Sequence, residues 1–207
     1  MPEKRIRNEM LASRLYALAG VDVPEISIVE MDGKKRLASK LVDSTGKHLY
    51  DIKMEGTDAQ KSAFYKDIQE DFAADVWLGN YDVLGIGNAY PKHYPGQNVG
   101  DDNIMEGSDG KPVRVDTGAS LLFTGSGNRK SDSSTLKAFG DVPQEWDFLP
   151  DSLQGKDVYL SMTDKDMAAS AERIAQIDID EVNDLVDSII TDKDDAAEIK
   201  AKLAKLS

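Results

Sequence analysis

GNYDVLGIGNAYPKHYPGQNVGDDNIMEGSDGKPVRVDTGAS, residues 79–120, sets two acids and an asparagine around one hairpin. In it an acid, Asp82, follows directly on a long amphipathic helix, an Asn-led hairpin comes next, and a second acid, Asp116, follows an apolar strand. The hairpin runs from Asn103-Ile104-Met105 through the turn Gly107-Ser108-Asp109-Gly110 to Val113-Arg114-Val115, turn chemistry that folds a strand back on its predecessor. Antiparallel return predicts Asn103 and Asp116 side by side at the open end. An amide oxygen beside a carboxylate suits Mg2+, a hard cation that takes oxygen ligands together with substrate phosphates. Asp82 is then free to face the same spot and orient an attacking hydroxyl.

The order Asp82, Asn103, Asp116-x-Gly118 resembles the catalytic loop and metal-binding turn of the protein-kinase-like fold, nearer to HipA-like kinases and the phosphatidylinositol 3- and 4-kinases than to ordinary eukaryotic protein kinases. The interval from Asn103 to Asp116 matches the family pattern. That from Asp82 to Asn103 is longer, because residues Ile86 to Asp102 read as an inserted loop, and Asn88 within it is a competing assignment with no strand after it.

The resemblance implies an α+β, kinase-like fold: a reduced small lobe of helix plus β-hairpin over 1–43, a linker over 44–57, and a mainly helical large lobe over 58–207. It also implies an ATP- and Mg2+-dependent phosphotransferase acting on a protein hydroxyl, with Asp82 as base and Asn103 and Asp116 holding metal. By the same resemblance Glu9 is the helix glutamate that pairs with a phosphate-gripping lysine, and Leu41 and Val42 lie in the hinge that reads the adenine edge. Glu9 reads equally well as a solvated carboxylate near a helix N-terminus. No glycine-rich phosphate loop and no lysine-bearing strand precede Glu9. A degenerate kinase-like module that binds or scaffolds, as in phage or toxin-like systems, is therefore the alternative.

Composition narrows the field further. With 38 acidic against 25 basic residues the net charge is -13, which repels phosphate backbones and argues against a nucleic-acid partner. Cysteine is absent and there are two histidines, so disulfides, thiolate sites and His-rich metal sites are excluded. No apolar run approaches the ~20 residues of a bilayer span, and MPEKRIRNEM lacks a signal-peptide core. The expectation is a cytoplasmic protein, or a virion component or delivered effector, whose partners are a nucleotide and a protein.

In chain order, Ile6, Met10, Leu11, Leu15 and Leu18 predict a helix from Ile6 to Ala19, stopped by Gly20. Strands follow at Ile26 to Met31 and Arg36 to Val42 about the turn Asp32-Gly33-Lys34, and Ser44 to Gly56 reads as a polar linker in which Lys47, His48 and Lys53 are solvated. Phe64, Ile68, Phe72 and Val76 make one stripe of a helix from Asp58 to Leu78 with Thr57 as N-cap, a rigid mount for Asp82. After Ser120 comes a run from Thr124 to Thr135 rich in Gly, Ser, Asn and Lys, the activation segment of the resemblance, where Arg129 and Lys130 could contact phosphate but read as solvated. Helices are predicted at Pro143 to Leu149, from a Thr163 cap to Ala175, at Ile179 to Ile190 and at Ala196 to Leu206, the last with a narrow stripe suited to a neighbour or a partner chain.

One tripeptide admits a reading from another class. Asp116-Thr117-Gly118 after an apolar strand is also an aspartic-protease signature, in which two such acids share a proton. That chemistry needs an all-β body, and the helical periodicities on both sides disagree with it.

Overall fold

Asp32 and Gly33 both have positive φ, 54° and 66°, the two-residue turn whose twist matches paired strands. It joins β1 (Ile26–Met31) to β2 (Lys34–Ser39) in a two-stranded antiparallel sheet with Met31 opposite Lys34 and Ile26 opposite Ser39. The second strand therefore begins and ends earlier than Arg36 to Val42, because so tight a turn returns Lys34 to pairing at once. The computed structural model describes residues 3–80, 83, 101–124, 127–130, 158–159 and 161–204. The predicted helix Pro143 to Leu149 lies outside them.

Ahead of this sheet stands α1 (Glu3–Leu18), ended by Gly20 at φ 75°, with Val21 N donating to Tyr16 O at 3.0 Å. The segment expected as a linker instead forms β3 (Ser44–His48) and α2 (Leu49–Glu55). Its strand is polar because most of it is exposed, so no apolar alternation marks it. It pairs with β4 (Ile104–Gly107), which pairs in turn with β5 (Pro112–Arg114), giving the antiparallel order β3-β4-β5. His48 Nδ1 lies 2.8 Å from Asp102 O, so it is tied to the segment leading into β4.

Thr57 caps α3 (Asp58–Glu70) through Gln60 as expected, but the chain breaks at Asp71 before α4 (Phe72–Trp77), where one continuous helix was predicted. The cause is a side chain inserted into the ladder. Ser170 Oγ accepts from Ala73 N at 2.9 Å and donates to Glu70 O at 2.8 Å, and Arg173 Nη1 also donates to Glu70 O at 3.1 Å. Both come from α5 (Asp164–Ala175), which is followed by α6 (Ile179–Ile189) and α7 (Lys193–Leu203). Thr163, Asp178 and Asp192 cap these three helices with their side-chain oxygens.

One contiguous core runs through these elements: Leu11, Leu15 and Tyr16 of α1, Phe64, Phe72 and Trp77 of α3 and α4, Val182 and Val186 of α6, and Ile199 and Leu203 of α7 are all buried in it. Ile199 and Leu203 of α7 are thus covered by their own chain, with Trp77 Nε1 donating to Leu203 O at 3.2 Å. Among the described residues no helix is long and apolar enough to cross a membrane.

Candidate functional site

The β4–β5 hairpin fixes the centre of the site. Ile104 pairs with Arg114, and Val115 N donates to Asn103 O at 3.0 Å, so the register carries Asn103 and Asp116 to the same open end. Asp116 is exposed and Asn103 half-buried. Asp116 Oδ1 accepts from Gly118 N at 2.9 Å, a local turn that fixes the carboxylate against its own backbone.

Glu9 arrives from α1. A Cβ added to Gly118 would lie 3.1 Å from Asp116 Oδ1 and 3.2 Å from Glu9 Oε2, so both carboxylates approach this glycine closely enough that a side chain there would crowd them. Thr117 Oγ1 donates to Glu9 O at 3.4 Å. Burial first, and then the neighbouring Asp116 charge, push the Glu9 carboxyl above its usual range, while Arg5 pulls it part of the way back. Glu9 therefore faces an acid and an arginine, where the resemblance implied a lysine.

Asp82 and the competing Asn88 lie outside the described residues. Their approach is described. Gly79 at φ 62° ends α4, Asn80 N donates to Asp75 O at 2.8 Å, and the buried Asn80 Nδ2 donates to Asp116 O at 3.4 Å. The segment that leads toward Asp82 is thereby joined to the Asp116 backbone.

Leu41 and Val42 line an open groove of about 440 Å³ with Val23, Gly107, Ser108 and Val113. Asp43 closes one side of it by accepting from Ser108 through both backbone O (3.0 Å) and Oδ2 (2.8 Å). Leu41 is 93% exposed. This groove touches β5 at Val113, and Asp116 stands three residues further along, roughly 10 Å away at extended spacing.

Beneath the hairpin lies a charged cluster that the sequence reading did not find. Arg114, with no exposure, donates to Asp71 Oδ2 at 2.7 Å and to Asp75 Oδ2 at 2.9 Å. Tyr16 Oη donates to Asp75 Oδ1 at 2.8 Å, and Arg173 bridges to Asp71 Oδ1 at 3.3 Å. Burial alone would lower the Arg114 guanidinium; Asp75 and Asp71 outweigh it and hold the group charged, while burial and then the Asp75 charge drive Tyr16 far above its usual value. A charged residue at an inward register position between Val113 and Val115 was the available signal.

Of Arg129 and Lys130, both expected to be solvated, Arg129 is exposed but ion-paired, and Lys130 is buried. Arg129 pairs with Asp195 at 2.6 Å and Glu198 at 2.5 Å, and the buried Lys130 donates from Nζ to Gly79 O at 2.6 Å.

The Asp116 carboxylate and the Asn103 amide offer oxygen ligands, the kind a hard cation takes. Among the described residues no group of three or more His, Asp or Glu side chains is placed to hold a metal. A cation at Asp116 and Asn103 would therefore complete its shell with substrate phosphates and water.

No family model matches the sequence, and no curated protein matches it. The chain is similar in fold to the crystal structure of a proinflammatory kinase, CtkA, of Helicobacter pylori, with a TM-score of 0.55 and 16% identity over 99% of this chain and 80% of that one. At that identity the likeness establishes a kinase-like fold. The α+β architecture expected from the sequence agrees with it: a β-hairpin near the N-terminus and a helical C-terminal part.

Proposed function

We propose that this chain is a Mg2+-dependent phosphotransferase that moves the γ-phosphoryl group of ATP to a hydroxyl, by preference one on a protein. The observation that carries the reading is the hairpin register. In a kinase-like fold, it brings the backbones of Asn103 and the exposed Asp116 to the same strand ends, which supports an amide and a carboxylate acting together there. Mg2+ would neutralise the charge gathered on the transferring phosphates. Asn103 and Asp116 would hold it, Gly118 would keep the turn open, and Leu41 and Val42 would line the adenine end of a nucleotide laid along β5. Asp82 would orient the acceptor hydroxyl, a role that rests on its place in the Asp, Asn, Asp-x-Gly order. The finer affinity to HipA-like and phosphatidylinositol 3- and 4-kinases rests on that order as well.

The test is transfer of the γ-phosphoryl group from Mg-ATP by the full chain, to itself and to a generic protein acceptor, against Asp116→Ala and Asn103→Ala. Turnover in the wild type with a loss of at least about a hundredfold in both variants is expected. Turnover unchanged in Asp116→Ala would remove the proposal.

A second reading is favoured by one observation: the described cation acting on Glu9 is Arg5, not a lysine able to grip phosphate. A degenerate kinase-like module would bind Mg-ATP, lose that binding in Asp116→Ala and show no turnover. The aspartic-protease reading has no support in a fold where Asp116 sits between a short hairpin and helix α1.

A further inference from the structure

Leu121 is fully buried and has a φ of 56°, in the left-handed region where a side chain larger than glycine is strained. It lies five residues after Asp116, and the chain on either side of it is held by one side chain. Asn8 of α1, itself 1% exposed, donates from Nδ2 to Ser120 O at 2.9 Å and accepts at Oδ1 from Leu122 N at 3.1 Å. Leu121 N donates to Leu78 O at 2.7 Å. Residue 8 thus supplies a donor and an acceptor in one plane to two backbone groups that flank the strained residue, a task a planar amide performs without charge. The same helical turn receives Thr117 at Glu9 O and sets the Glu9 carboxylate against Gly118.

Glu9 Oε2 and Asp116 Oδ1 both lie just over 3 Å from the Cβ position of Gly118, so two carboxylates meet where α1 joins the segment after Asp116, and the Asn8 amide ties that segment to the helix beside them.

We infer that Asn8 is a positioning residue for the metal ligand Asp116, locking α1 to the segment that follows the carboxylate. The inference rests on the phosphotransferase reading above and adds a residue to that site. Its signal in the sequence is a polar side chain at the head of the apolar stripe Asn8, Leu11, Leu15.

The experiment uses the full chain with Mn2+ as the probe, in the wild type, Asn8→Leu, Asn8→Asp and a control, Val186→Ala, which removes core volume on α6 and takes no part in the Asn8 hydrogen bonds. Amide exchange over residues 118–122 and Mn2+ affinity are measured alongside Tm. Both Asn8 variants are expected to exchange about tenfold faster across 118–122 and to bind Mn2+ about tenfold more weakly. The control should leave both quantities unchanged at a comparable fall in Tm. Should Asn8→Leu not fold, Asn8→Asp, which keeps the shape and the acceptor, decides. Local exchange or Mn2+ affinity indistinguishable from the control overturns the inference while leaving the phosphotransferase reading intact. A wild type that takes up no Mn2+ overturns that reading, and the inference with it, before any variant is compared.

Discussion

Arg114 and Asp75 form a hydrogen-bonded ion pair at 2.9 Å in which neither side chain has any solvent exposure. The pair joins β5 to α4, and Arg114 stands two residues ahead of Asp116, so the core electrostatics and the position of the candidate metal ligand are one structure. Replacing Arg114 by Met leaves the Asp75 carboxylate buried without a cation and Asp71 with Arg173 alone, at a cost of about 3–5 kcal/mol. Arg114→Lys should recover little of it, since one ammonium cannot span two carboxylates in the fork geometry. Urea denaturation of both variants measures this, and a loss under 1 kcal/mol in Arg114→Met would contradict it.

Gly118 offers a separable effect. It has no left-handed backbone to lose, so Gly118→Ala should keep stability within about 1 kcal/mol of the wild type. Its methyl group would crowd Asp116 Oδ1 and Glu9 Oε2, both only just beyond 3 Å from that position. Phosphotransfer and divalent-cation binding should fall about tenfold or more while Tm barely moves. A Tm loss without a binding defect would mean that Gly118 serves only the fold.

Glu9 gives a pH dependence with a definite sign. Because its carboxyl is raised, by burial first and then by Asp116, the folded chain keeps a proton on Glu9 at pH values where the unfolded chain has lost it. Its contribution is therefore most favourable below the ordinary glutamate value of 4.5 and declines as pH rises through the raised value. Glu9→Gln should raise Tm at pH 7, and the gain should vanish toward pH 4. Thermal melts of both proteins across that range test it, a pH-independent difference being the adverse result.

Gly127 has φ 82°, and a Cβ there would meet Arg5 Nη1 at 2.6 Å and Cδ at 3.1 Å. Gly127→Ala should cost about 1–3 kcal/mol from backbone strain, plus whatever displaces Arg5. Since Arg5 moderates the Glu9 carboxyl, the variant should also steepen the pH dependence described above. Melts at pH 5 and pH 7 compare the two effects, and an unchanged slope would separate Arg5 from Glu9.

Local chemistry was legible where a residue's own backbone demanded it. Asp32-Gly33 and Gly107-Ser108-Asp109-Gly110 marked their turns, Thr57 and Thr163 their caps, and the strand between Val113 and Val115 its return to Asn103. β3 was missed because an exposed strand of Ser, Thr, Gly, Lys and His carries no apolar alternation. The break at Asp71 was missed because its cause, Ser170, lies about a hundred positions away.

Residues close together in the sequence were enough to mark α1, the capped starts of α3 and α5, the two hairpins and the return of the Asp116 strand toward Asn103, since each follows from turn geometry or periodicity within a few residues. Tertiary structure alone decided what Glu9 faces, why Arg114 is buried, and that Asn8 holds the backbone after Asp116. Those contacts join segments dozens of residues apart, and a charged or amide side chain acquires a partner only when folding removes the water that would otherwise satisfy it.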